Sequence, residues 1–146
     1  MAYATIAEGD IYFSMRLNSE VWEDADTADK QKALEQGTMI IDRLNFAGCK
    51  TDENQSEQFP RGEDTVVPED IKSADCEIAL ALLDGVDPEI ESENLRMTVH
   101  KYGPVQTNYD VGSPPLNVIA GIPSMAAWRY LVPYLRDQRA ITLHRV

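Results

Sequence analysis

Histidine and cysteine are scarce in this chain, two of each among 146 residues. Cys49 and Cys76 stand far apart with no histidine cluster beside them, which argues against a disulfide framework or a zinc site. Buried, reduced thiols are the expectation for both. His100 and His144 fall in a predicted hairpin and in the terminal segment, and neither stands beside a candidate nucleophile. Carboxylates are plentiful but come in runs, the pattern of a solvated acidic face and not of a pair in apolar surroundings whose raised pKa suits acid–base work. No glycine-rich phosphate loop follows a strand, and Asp84-Gly85-Val86-Asp87 is too short for a calcium loop. A protein that is not an enzyme and holds no cofactor or metal is expected.

Long apolar runs are missing too. The longest, Ile78 to Leu83, falls far short of the ~20 residues that a membrane-spanning helix needs, so no membrane partner is expected. The first residues, Met1-Ala2-Tyr3-Ala4-Thr5, lack the basic start and apolar centre of a signal peptide, and a chain used without secretion is expected.

Positive charge is the last shortage: 13 basic residues face 25 acidic ones, for a net charge of −12. The imbalance is uneven. Residues 1–95 hold 23 acidic and 7 basic side chains, net −16, whereas residues 96–146 hold 2 and 6, net +4. Affinity for phosphate backbones rests on Lys and Arg, so the acidic body is a poor match for DNA and the basic end is the part suited to reach a partner.

What is present is helical periodicity. Thr5-Ile6-Ala7-Glu8 reads as a capping box opening a short helix to about Met15, with Ala7, Ile11 and Met15 on one stripe and Ile6 and Phe13 beside it. Residues 18–26 read as an acidic connector with Trp22 as a core anchor. Asp26 or Thr27 caps a second helix ending near Asn45, whose buried face is Ala33, Leu34, Gly37, Ile40, Ile41 and Leu44. Residues 49–66 form a polar loop docked by Phe59-Pro60. Pro68 opens a third helix with Glu69 and Asp70 at the positive end of its dipole. From Ile78 that helix is apolar all round and is predicted to be central, until Asp84-Gly85 stops it.

Beyond residue 90 the period changes to two. Met97 and Val99, then Val105, Thr107 and Tyr109 past Gly103-Pro104, predict a β-hairpin at about 96–110. A last short helix is predicted from Pro123 to about Leu131, with Met125, Trp128 and Val132 on one face and Pro133 ending it. The fold class is therefore mainly α: a small helical bundle with one β-hairpin, residues 1–135, and an extended C-terminal tail, residues 136–146.

Two segments are candidates for binding. In the hairpin, Tyr102, Tyr109, Lys101, Arg96 and His100 come nearest to the interleaved aromatic and basic residues that grip single strands. The plainer reading has Tyr109 packed on the body and Tyr102 decorating the turn. No helix-turn-helix with a basic recognition helix is present, because the third helix begins with two acids. In the tail, Arg136, Arg139, His144 and Arg145 interleave with Ile141, Leu143 and Val146, a make-up suited to docking in a groove or edge of a partner.

Several short pieces occur in a distinctive order: Ala4-Thr5-Ile6-Ala7-Glu8-Gly9-Asp10-Ile11-Tyr12-Phe13, then Trp22 and Asp29-Lys30-Gln31-Lys32-Ala33-Leu34, then Ile41-Asp42-Arg43-Leu44. Phe59-Pro60-Arg61, Val67-Pro68, Cys76-Glu77-Ile78-Ala79-Leu80, Gly103-Pro104-Val105, Ile122-Pro123 and Pro133-Tyr134-Leu135 follow. From about Tyr3 to Leu135 the chain resembles the head-to-tail connector (adaptor) proteins of tailed phages, whose relatives often carry a DnaT-like single-stranded-DNA-binding label. The resemblance implies a structural virion protein of the phage neck, assembled in the bacterial host cytoplasm as a homo-oligomer, a twelve-membered ring under the portal. DNA would pass through its lumen without specific binding, and a tail or neck component would bind below. On that reading the tail residues Arg136, Arg139, Ile141, Leu143 and Arg145 contact the portal ring. The hairpin residues His100, Lys101, Tyr102 and Tyr109 face a neighbouring subunit or the tail. The alternative is a single-stranded-DNA-binding or replication accessory protein, and a third possibility is a monomeric host-takeover or regulatory module.

Overall fold

The computed structural model describes residues 1–87, 89, 99–108 and 115–136. Helices α1 (Ile6–Ser14), α2 (Glu20–Asp24), α3 (Thr27–Asp42) and α4 (Glu69–Leu83) come first, followed by strands β1 (Val99–Tyr102) and β2 (Val105–Asn108). Helices α5 (Leu116–Ile119) and α6 (Met125–Leu131) and a 3-10 turn, Val132–Tyr134, complete the order. Among the described residues the fold is mainly helical with one hairpin, as the periodicity predicts.

Local chemistry sets the helix starts. Thr5 accepts from the Glu8 N–H while the Glu8 carboxylate accepts from the Thr5 N–H at 2.8 Å, closing the capping box reciprocally. Lys72 on α4, with the Thr5 N–H, holds the Glu8 carboxyl down to about 2. Asp26 caps α3 by accepting from the Asp29 N–H, and Ser124 caps α6 through the Ala127 N–H.

Helix α4 is the wall shared by two apolar clusters. It packs against α3 and α6, and more lightly against α1 and α2. Ile71, Ala74 and Ile78 join Tyr3, Ile41, Phe46, Phe59, Ile122, Ala127 and Leu131 in the first cluster. Cys76 and Ala79 join Ala4, Phe13, Trp22, Ala33 and Leu34 in the second.

The Phe59-Pro60-Arg61-Gly62 turn locks the long loop onto this body. Phe59 is buried, with its ring centroid 4.7 Å from Phe46, 6.0 Å from Tyr3 and 5.7 Å from Tyr134, each pair edge-to-face. Arg61 spreads its guanidinium over the loop after α3: Nε donates to the Ala47 carbonyl at 3.0 Å, and Nη2 donates to those of Phe46 and Gly48. Its Nη1 reaches the Gln58 carbonyl and side chain at 3.3 and 2.8 Å. The chain then turns back through an isolated bridge between Lys50 and Arg61.

Several expectations are corrected. The stripe Ala7, Ile11 and Met15 points outward; α1 buries Gly9 and Phe13 instead, because a Cβ at Gly9 would stand 2.7 Å from the Trp22 ring. The connector before α3 contains α2, which carries Trp22 into the core. On α4 the fully buried stretch lies earlier than expected, from Ala74 to Ala79, while Leu80 to Leu83 are half-buried. On α6 the buried residues are Ala127 and Leu131, and Met125 and Val132 are exposed. Cys76 is buried, but Cys49 is exposed on the loop.

Candidate nucleic-acid interface

The hairpin is a two-stranded antiparallel ribbon whose register pairs Val99 with Asn108, His100 with Thr107, Lys101 with Gln106 and Tyr102 with Val105. Gly103 takes a φ of +61° at the first loop position, a conformation glycine adopts without steric cost. The register places positions 100 and 102 across from 107 and 105, so His100, Lys101 and Tyr102 occupy consecutive places on β1 beside the turn. Arg96 and Tyr109 lie outside the described residues.

The tail begins tied to the body. Leu135 bridges Phe46, the Ala47 N–H donates to the Tyr134 carbonyl at 2.9 Å, and the Arg136 N–H donates to the Asn45 carbonyl at 3.0 Å. Arg136 is exposed at this exit point, as is Arg43 at the end of α3. Arg139, Ile141, Leu143 and Arg145 lie outside the described residues.

Elsewhere the body spends its positive charge on itself. Lys30 pairs with Asp10 at 3.4 Å, Lys32 with Asp29 at 3.0 Å, and Lys72 with Glu8 and Glu69 at 2.7 and 3.2 Å. Lys50 Nζ donates to the Gln55 and Ser56 carbonyls, and Arg61 to the backbone of two turns. Arg16 clamps the buried Glu77, with Nε 2.6 Å from Oε1 and Nη2 3.0 Å from Oε2, while the Tyr12 hydroxyl donates to Oε1 at 2.7 Å. Burial and the neighbouring Tyr130 hydroxyl and Glu77 carboxylate push the Tyr12 phenol above its ordinary range. Cations so neutralised contribute little to phosphate binding.

The sequence reading missed two buried carboxylates, Glu77 and Asp75. Asp75 Oδ2 accepts from the Ala4 N–H at 3.1 Å and from the Thr38 hydroxyl at 3.2 Å; Thr38 in turn accepts from the Tyr3 N–H at 2.8 Å. Asp75 Oδ1 has no hydrogen-bond partner, and burial pushes the carboxyl up to about 7. The only sequence signal was their position, two acids two residues apart inside an apolar helix. Asp75 is wholly buried, and its hydrogen bonds tie the first residues of the chain to α3 and α4. Among the described residues no group of three His, Cys, Asp or Glu side chains could hold a metal ion.

A model of the protein family described as "Putative DnaT-like ssDNA binding protein" matches residues 2–145. The chain belongs to that family. No curated protein and no solved structure matches it. The match overturns the leading expectation of a head-to-tail connector. The family is described by single-stranded DNA binding, with nothing of a phage neck, portal or virion ring, and so agrees with the alternative reading. The connector reading rested on the resemblance of the ordered pieces from about Tyr3 to Leu135, with the acidic body, suited to a channel that must not grip DNA, in agreement with it.

Proposed function

We propose that this chain is a single-stranded-DNA-binding or replication accessory protein. The observation that carries the reading is the family match across residues 2–145. Charge favours a contact at the basic end of the chain. Residues 1–95 are net −16 and their basic side chains are largely engaged internally, whereas residues 96–146 are net +4. The strand follows β1 within the second region, where Lys101 supplies a phosphate contact and Tyr102 a face on which a base stacks.

Fluorescence anisotropy of a labelled oligothymidylate, titrated with the full chain across a salt series, tests this. Binding should weaken linearly in the logarithm of salt concentration, with a shallow slope set by a few phosphate contacts. No anisotropy change at low salt would sink the proposal.

A further inference from the structure

Helix α1 turns its second apolar stripe to solvent. Ile11 is 63% exposed and Met15 is 82% exposed, one helical turn apart on the same face, and Leu17 just past the helix is 86% exposed. Beside this ridge a groove of about 350 Å³ runs between α1 and α2, lined by Asp10, Phe13, Ser14, Trp22, Glu23 and Lys30. Its one cation is already taken: Lys30 Nζ lies 5.1 Å above the Trp22 ring and 3.4 Å from Asp10 Oδ1. Asp10 also accepts from Trp22 Nε1 at 2.9 Å, and Glu23 accepts from Ser19 at 2.8 Å. Glu20, Glu23 and Asp24 on α2, and Asp26 and Asp29 at the start of α3, are all exposed.

An apolar ridge rimmed by carboxylates selects an apolar, cationic occupant and repels nucleic acid. One segment of this chain has that composition. Residues 136–146 interleave Arg136, Arg139 and Arg145 with Ile141, Leu143 and Val146.

We infer that the α1–α2 groove of one subunit receives the C-terminal segment of a second copy of this chain. The apolar tail residues cover Ile11, Met15 and Leu17, and the arginines meet Glu23 and its neighbouring carboxylates. The contact is heterologous, tail to groove, so each subunit offers both halves of it. This goes beyond the DNA-binding reading: it concerns the face of the molecule that DNA avoids.

Sedimentation equilibrium of the full chain over a concentration series tests it. Self-association should appear and weaken with added salt. Met15→Glu on the groove side, and Ile141→Asp with Leu143→Asp on the tail side, should each weaken it by about tenfold or more. Met15 is exposed, so its variant should fold normally, and circular dichroism checks this. Glu23→Arg should weaken association and recover it when combined with Arg139→Glu and Arg145→Glu. A chain that stays monomeric, or association indifferent to both the groove and tail variants, overturns the inference. DNA anisotropy measured on the same samples keeps the two readings apart, since a monomer that still binds the oligonucleotide removes only this one.

Discussion

Gly37 on α3 faces Asp75 on α4 so closely that a Cβ at position 37 would collide with Asp75 Oδ1 and stand 3.3 Å from the Asp75 carbonyl oxygen. The glycine is what allows the two central helices to approach with a carboxyl between them. Alanine has the better helix propensity by about 1 kcal/mol, but overpacking a buried contact costs about 1–3 kcal/mol. The Asp75 side chain cannot swing aside without breaking its bonds to Ala4 and Thr38. Gly37→Ala should therefore lower stability by up to about 2 kcal/mol net. Urea unfolding checks this, and a variant as stable as the parent would show that the interhelical contact is looser than described.

Asp75 also gives the fold a pH dependence of definite sign. Its carboxyl rises from an ordinary 3.8 to about 7, chiefly through burial, with the Asp42 charge adding to it and the Ala4 and Thr38 hydrogen bonds opposing it. Between those values the folded chain keeps a proton that the unfolded chain has released. This contribution to stability is full at acid pH, falls by up to about 1.4 kcal/mol per unit as pH rises, and levels off above the folded value. Glu8, held low, acts oppositely, its contribution being lost as pH falls from about 4.5 to about 2. Asp75→Asn removes the term, so the stability difference between parent and variant should change steadily from pH 4 to 7 and flatten beyond. A constant difference across that range would refute the assignment.

Arg61 should prove the keystone of the long loop. Its guanidinium serves carbonyls at Phe46, Ala47, Gly48 and Gln58. Arg61→Ala leaves several of these acceptors without their donor, and a loss of about 2 kcal/mol is expected. Arg61→Lys should recover little, because an ammonium cannot fork among them. Hydrogen exchange should quicken at the Thr51 and Gly62 amides, which donate to the Pro60 and Cys49 carbonyls.

On the DNA side, Lys101→Ala and Tyr102→Ala should differ in kind. Removing a phosphate contact should reduce the salt slope by about 0.7, whereas removing a stacking ring should cost about 1–3 kcal/mol and leave the slope unchanged. Identical behaviour of the two, or no effect of either, would move the contact away from β1.

What was legible in the sequence was what neighbours in the sequence decide. The Thr5–Glu8 capping box, the Asp26 cap, the α3 face of Ala33, Leu34 and Ile41, and the Gly103 turn all follow from residues within a few positions of one another. Helix α1 was misread because it has two apolar stripes, and only Trp22, brought in by α2, decides which one is covered. The same ambiguity reversed α6, where Ala127 and Leu131 face α4 side chains that come from far earlier in the chain. Asp75 and Glu77 looked like surface acids because their partners Ala4, Thr38, Tyr12 and Arg16 lie tens of residues away. For the candidate interface, the sequence supplied the residue types on β1 and the structure supplied their register. The resemblance of short ordered pieces to phage connectors drew the functional reading toward the alternative that the family match overturns.

The shared wall has a thermodynamic consequence. Trp22 sits in one cluster and Trp128 packs against the other, yet both clusters rest on α4. If α4 comes away, neither half retains a lid for its apolar side chains, so no half-molten species has a reason to persist. The two indoles should report a single melt at one midpoint, and the described helices behave as one cooperative unit despite their divided interior.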